Sequence, residues 1–212
     1  MSFTPFVAVE GPIGVGKTSL SKAISERYQY KYYGEIVEEN PFLGKFYENI
    51  EEWSFQTEMF FLCHRYKQME EIERELSLNN PIIADYHIFK NRIFAKQTLN
   101  QKHFAKYMDV YDILTEGMPK PNVIIYLNAS LDTLLNRITK RGRQIEKDIS
   151  PRYLERLSAD YEAFMEEFEY HHPDIPVLRF NGDNLDFVAN SNDLDKIINT
   201  LDETLKKGDL VV

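Results

Sequence analysis

Short apolar runs alternate along this chain with longer stretches in which apolar residues return every three or four positions. The short runs predict strands at Phe3–Val9, Lys31–Val37, Pro81–Ala84, Asn122–Leu127 and Pro176–Phe180. The stretches between them predict helices at Lys17–Tyr28, Glu52–Leu78, His87–Gln97, Gln101–Thr115, Leu131–Lys140, Pro151–Tyr170 and Asn192–Lys207. Strands that alternate with helices in this way form a parallel sheet covered on both faces. Such a sheet places its site beyond the carboxyl ends of its strands. Turn residues are spread evenly, with no internal repeat and no low-complexity segment, so residues 1–212 are expected to form a single domain.

The first strand-to-helix junction changes the picture from architecture to chemistry. Gly11-Pro12-Ile13-Gly14-Val15-Gly16-Lys17-Thr18 fits the phosphate-loop pattern G-x-x-x-x-G-K-[ST] at every fixed position. Phe6-Val7-Ala8-Val9 precedes it as a buried strand, and Leu20, Ala23 and Ile24 share one face of the helix that follows. Glycines let the backbone turn several N–H groups inward on a phosphate, and the helix N-terminus adds its own. Lys17 reaches the outer phosphates, and the Thr18 hydroxyl is placed to bind Mg²⁺. Residues 11–19, ending at Ser19, are therefore the expected ATP contacts. The fold class that follows is an α/β phosphate-loop kinase with a five-stranded parallel sheet.

Other motifs complete a phosphoryl-transfer site. Pro81-Ile82-Ile83-Ala84-Asp85 is an apolar strand ending in a carboxylate, where such enzymes hold the Mg²⁺ shell. Glu35, Glu38 and Glu39 cluster after the second strand, and one of them can take a proton from an attacking hydroxyl; spacing alone does not select which. Arg137, Lys140, Arg141, Arg143 and Lys147 form a basic run, with Gly142 permitting a bend. They predict a short Arg-rich lid over about 141–150 that stabilises charge on the transferring group. On the long helix, Gln56 falls on a face with Trp53, Phe60 and Cys63, where its amide suits a nucleobase edge. His171-His172 lacks partners at metal-ligand spacing and reads as a loop.

Composition narrows the partners. A net charge of −9 argues against non-specific nucleic-acid binding and against anionic membranes, so local cations must hold any phosphate. Aromatics make up 13%, many between Tyr28 and Phe94, enough to pack a helical layer or to line a pocket for a flat ligand. The single Cys63 and the lack of a signal-peptide or membrane-spanning pattern lead us to expect a cytoplasmic protein.

Taken together, these residues resemble the deoxyribonucleoside kinase family, nearest its purine-directed deoxyguanosine and deoxyadenosine branch in Gram-positive bacteria. The resemblance runs from the phosphate loop through Glu35-Ile36-Val37-Glu38-Glu39-Asn40-Pro41-Phe42, Trp53-Ser54-Phe55-Gln56, Asp85-Tyr86-His87 and Lys140-Arg141-Gly142-Arg143 to Asn181-Gly182-Asp183. It implies ATP as phosphoryl donor with Mg²⁺, a homodimer, and Glu35 as general base on the sugar 5′-hydroxyl. It implies Tyr47 and Glu146 at the 3′-hydroxyl, Gln56 on the base, Phe94 stacked upon it, and Tyr86 near the pocket mouth. Arg137, Arg141 and Arg143 match phosphate-binding arginines, Asp183 a nucleotide contact, and Asp85 the magnesium carboxylate. One departure stands out: many relatives carry an arginine directly after the third-strand acid, where this chain has Tyr86. Arg65 or Arg92 is expected to replace it, and an arginine is expected to donate to guanine O6. The implied activity is 5′-phosphorylation of a purine deoxyribonucleoside for salvage, deoxyguanosine first and deoxyadenosine or a broad purine range as the alternative. A nucleoside monophosphate kinase usually clamps its phosphorylated acceptor with an arginine where Tyr86 stands, which counts against that reading, and a switch GTPase needs D-x-x-G and N-K-x-D, neither of which occurs.

Overall fold

A computed structural model describes residues 4–37, 39–147 and 149–209. Its centre is β1 (Phe6–Glu10), all five residues of which are buried. Apolar residues on both faces of a strand require cover on both sides, and the sheet supplies it. β2 (Lys31–Tyr33), β3 (Ile82–Ala84), β4 (Val123–Asn128) and β5 (Val177–Asn181) complete a five-stranded sheet in the order β2-β3-β1-β4-β5. Every pairing is parallel, with Val7 opposite both Ile83 and Val123.

Alternation along the strands sorts the core. Val7, Val9, Ile83 and Ile125 meet Leu20 and Ile24 of α1 (Lys17–Tyr28) and Ile197, Ile198 and Leu201 of α8 (Ser191–Asp209). Phe6, Ile82 and Ala84 point the other way, onto Leu62, Met69 and Ile72 of α3 (Ile50–Ser77), with Tyr107 and Tyr111 of α5 (Gln101–Thr115). Ile124 and Tyr126 pack against Leu154, Leu157, Tyr161 and Met165 of α7 (Pro151–His171), in a cluster that also takes Phe89 and Ile93 at the start of α4 (Lys90–Thr98). Each such side chain taken fully from water contributes about 1.5–3 kcal/mol.

The predicted strands and helices all form, with ends shifted by a few residues. The second strand is the exception, stopping at Tyr33 rather than running to Val37. Two elements were not foreseen: α2 (Leu43–Glu48) and a short 3-10 turn at Gln144–Glu146, which follows α6 (Leu131–Arg141). The α2 stretch has only six residues and its cap makes no side-chain hydrogen bond, so neither periodicity nor a start signal marks it. Asp148, within the expected lid, and Glu38 lie outside the described residues.

Candidate active site

The phosphate loop follows the central strand and is shaped by close backbone approach. Gly11 has φ +143°, and a Cβ there would lie 2.2 Å from the Leu127 carbonyl oxygen, so no other residue fits. Gly16, at φ +107°, caps α1 without any side-chain hydrogen bond. The first-turn N–H groups therefore have no side-chain cap, the condition that makes a helix start an anion site. Lys17 Nζ donates to the carbonyls of Gly11 at 2.8 Å and Pro12 at 3.0 Å, folding its charge over the loop. Burial, aided by the nearby Lys90, lowers its ammonium to about 8 against the pull of Glu35, Glu10 and Asp85.

Asp85 joins this loop to the next strand end. Its Oδ2 accepts from Thr18 Oγ1 at 2.7 Å and from the Tyr32 hydroxyl at 2.9 Å, and its Oδ1 accepts from the Glu35 backbone N–H at 2.7 Å. A hydroxyl and a carboxylate touching beside the phosphate loop are the hard oxygen ligands that suit Mg²⁺. Among the described residues no group of three or more His, Cys, Asp or Glu could hold a metal unaided. Thr18 and Asp85 would therefore share an ion with phosphate oxygens and water.

Glu35 is the electrostatic centre. Lys90 Nζ donates to its two oxygens at 3.0 and 2.9 Å, and Arg65 Nη2 makes a second ion pair. Burial alone would raise this carboxyl, but Lys90, Arg65 and Lys17 outweigh it and hold Glu35 well below the usual carboxylate range. Arg65 Nη1 in turn donates to Asn91 Oδ1 at 2.7 Å, and Asn91 Nδ2 to the Tyr107 hydroxyl at 2.6 Å. Of the two arginines expected to fill the gap after Asp85, Arg65 therefore reaches Glu35. Arg92 instead is exposed and lies over the Phe164 ring. Lys90, which belongs to no sequence motif, is only 2% exposed and completes the pair.

These groups line one cleft of about 940 Å³. Gly14, Gly16, Lys17, Thr18 and Ser19 form its phosphate-loop end, beside Leu185, Asp186, Phe187, Val188 and Ala189. Arg137 lies there too, its guanidinium donating to the carbonyls of Val15 at 2.9 Å and Gly182 at 2.8 Å. Phe46, Tyr47, Thr57, Glu58, Phe61, Phe94 and Tyr153 also line it, with Glu35, Arg65 and Lys90. Burial raises the Tyr47 phenol, and the nearby Glu146 adds to that. Arg141 and Arg143 both reach Glu146, Arg141 Nη2 at 2.5 Å and Arg143 Nη1 at 3.5 Å.

Three expectations need correction. Gln56 is exposed and lies outside the cleft, because the buried stripe of α3 runs through Ser54, Thr57, Glu58, Leu62, Arg65, Met69 and Ile72. Apolar residues alone are a poor guide to that inner face, since four of its seven buried residues are polar. Tyr86 is also not a cleft residue. It is 1% exposed, its hydroxyl donates to Gln68 Oε1, and Arg65 lies over its ring, so it supports the arginine from behind. Asp183 caps the start of α6 instead of lining the cleft, its carboxylate accepting from the Ser130 N–H at 2.9 Å. Arg65 turns its two terminal nitrogens to Glu35 and Asn91, while its buried Nε has no partner among the described residues.

A central strand leading into a phosphate loop, a Thr18–Asp85 contact and a salt-bridged carboxylate in the same cleft define a phosphate-loop kinase. The chain belongs to the deoxynucleoside kinase family: the family model described as "Deoxynucleoside kinase" matches residues 7–206. It is 52% identical over 198 residues to a deoxyguanosine kinase of Bacillus subtilis, covering 93% of this chain and 96% of that one. It is 31% identical over 203 residues to a deoxyadenosine/deoxycytidine kinase of the same organism, covering 92% and 90%. Among solved structures, deoxyadenosine kinase from M. mycoides with bound dCTP superposes with a TM-score of 0.80 at 30% identity, covering 93% of this chain and 98% of that chain.

Proposed function

We propose that this kinase transfers the γ-phosphoryl group of ATP to the 5′-hydroxyl of deoxyguanosine. The observation that carries the reading is the position of Glu35. Its backbone hangs on the same Asp85 that bonds Thr18 of the phosphate loop, and its carboxylate faces the cleft shared with the aromatic side chains. An acceptor hydroxyl beside Glu35 is thereby held next to the terminal phosphate. The 52% identical relative, named a deoxyguanosine kinase, favours guanine over the adenine named for more distant relatives.

The residues divide the work. Lys17 leaves its two loop carbonyls for the outer phosphates, and Arg141 and Arg143 neutralise charge that builds on the transferring group. Thr18 and Asp85 would hold Mg²⁺, which would supply further charge neutralisation on the phosphate oxygens. The 5′-oxygen bonds to phosphorus, the bond to the β–γ bridging oxygen breaks, ADP leaves, and the 5′-proton passes to Glu35. Two cations weaken Glu35 as a base, so it orients the hydroxyl first and accepts the proton late, once bonding to phosphorus has acidified it. Tyr47 and Glu146 are proposed to hold the 3′-hydroxyl, with Phe94 stacked on the base.

We also propose a single kinase domain with a lid over about 141–150, a homodimeric assembly and a cytoplasmic location. The family match over 7–206 supports the first. Light scattering of the purified protein tests the second. No described helix is long and apolar enough to cross a membrane. The substrate reading is tested by measuring ADP formation with the four deoxynucleosides under ATP and Mg²⁺. The expected result is the highest kcat/KM for deoxyguanosine; a higher value for deoxyadenosine or a pyrimidine would overturn the assignment.

A further inference from the structure

One buried acid in the cleft has no part in the chemistry above. Glu58 is 2% exposed and lines the cleft from the middle of α3, two turns before Arg65. Its Oε1 accepts from the Thr98 hydroxyl at 3.2 Å, while Oε2 has no partner among the described residues. The hydroxyls of Thr57 and Tyr153, lining the same cleft, also lack partners. Buried polar atoms are rarely left unpaired without cause. Arg65 Nε is a fourth, and four in one cleft with Phe46, Phe61 and Phe94 describe a site for a flat ligand with a polar edge.

The kind of edge follows from what a carboxylate can do. It only accepts hydrogen bonds, and each oxygen can take two. Guanine is the one common base that presents two adjacent donors, N1–H and the 2-amino group. Adenine presents a donor beside the N1 acceptor, cytosine a donor beside the N3 acceptor, and thymine one donor between two acceptors. Each of these sets a lone pair against a carboxylate oxygen. We propose that Glu58 selects guanine, accepting N1–H and the 2-amino group on its two oxygens, with Thr98 fixing its orientation. This rests on the deoxynucleoside kinase reading and supplies the base discrimination that an O6-directed arginine was expected to give.

The surroundings make the choice conditional on charge. Burial raises the Glu58 carboxyl to about 7, against Arg65, the Thr98 hydrogen bond and Lys90, with Glu35 adding to the rise. Tyr47, Tyr107 and Tyr153 are the other titratable groups that feel it, each raised from its ordinary range chiefly by burial. Protonated, Glu58 offers one donor and one acceptor, the complement of adenine N1 and N6. Ionised, it fits guanine alone.

The test compares kcat/KM for deoxyguanosine, deoxyinosine and deoxyadenosine in wild type, Glu58→Gln and Glu58→Ala. Deoxyinosine keeps N1–H and O6 but lacks the 2-amino group, so wild type should use it at least about tenfold less well than deoxyguanosine. In Glu58→Gln the ratio of deoxyguanosine to deoxyadenosine should fall by about 100-fold or more, because an amide can match adenine. A ratio within about threefold of wild type in both variants would overturn the role of Glu58. If the wild type itself does not prefer deoxyguanosine, the substrate assignment fails instead, so the two failures are separable. Should both variants fail to fold, the wild-type ratio measured from about pH 6 to 8.5 decides. Enzyme groups common to both reactions cancel in the ratio, so a ratio that rises through about pH 7 supports the proposal, and a constant ratio overturns it.

Discussion

Glu35 shows how one side chain is set by its neighbours rather than by its own type. Two buried cations hold it ionised, so replacing it with an amide leaves Lys90 and Arg65 facing each other without a counter-charge. Glu35→Gln should reduce kcat by about 10²–10⁴-fold. It should also destabilise the protein, because an ion pair broken on one side leaves uncompensated buried charge. Urea unfolding beside steady-state kinetics separates the two effects. If Glu39→Gln lowers kcat more than Glu35→Gln does, the base has been assigned to the wrong carboxylate. At this scale the sequence was informative where a motif fixes the spacing, as for Lys17, Thr18 and Asp85. It was uninformative where a partner comes from a distant element. Lys90 belongs to no motif, and only the fold brings it within 3.0 Å of Glu35.

Helix α3 shows why its sequence points to Gln56 and leaves Glu58 unmarked. That pointer rests on an apolar face with a polar residue upon it. The buried face, however, carries Ser54, Thr57, Glu58 and Arg65 in step with Leu62, Met69 and Ile72. A signal existed: Glu58 and Arg65 share a helix face with Leu62 between them, and charged residues inside an apolar stripe are rarely idle. The end of α6 and the turn after it bear on the lid. Arg141 and Arg143 converge on Glu146 here, and nucleotide should draw them onto phosphate. Arg143→Lys should therefore lower kcat by roughly tenfold or more while KM for deoxyguanosine changes little, because a point charge cannot replace a planar fork. Equal kcat for the variant and wild type would remove Arg143 from phosphoryl transfer.

The strands and helices of the whole molecule were largely visible, because parallel strands buried on both faces leave continuous apolar runs. Their order in the sheet was not, since nothing in a single run says which neighbour it pairs with. A second property of the whole is its response to acid. Burial lowers His87 from 6.5 to about 4, with Lys120 adding and the Pro119 carbonyl opposing, while burial raises Glu58 from 4.5 to about 7. For His87 the unfolded chain binds the proton first, so its contribution is present above about 6.5 and is lost as pH falls toward 4. For Glu58 the folded chain binds it first, so its contribution is present below about 4.5 and is lost as pH rises through 7. Each is worth about 3 kcal/mol, and across the shared window they offset. Glu58→Gln should uncover the His87 loss, so the variant should weaken on acidification from about pH 6.5 to 4.5 more steeply than wild type. Urea midpoints at three pH values check this, and parallel curves for the two proteins would contradict it.

The placement of Glu58 in mid-helix has an evolutionary consequence. Its backbone is bonded within α3 whatever the side chain, and Gln has almost the same outline as Glu. The Thr98 hydroxyl, which also reaches the Phe94 carbonyl at 2.9 Å, can turn to accept from an amide as readily as it donates to an acid. Codons for Glu and Gln differ by a single nucleotide. On the proposed role of Glu58, a lineage carrying this helix would need only a single mutation to move its nucleoside preference between guanine and adenine.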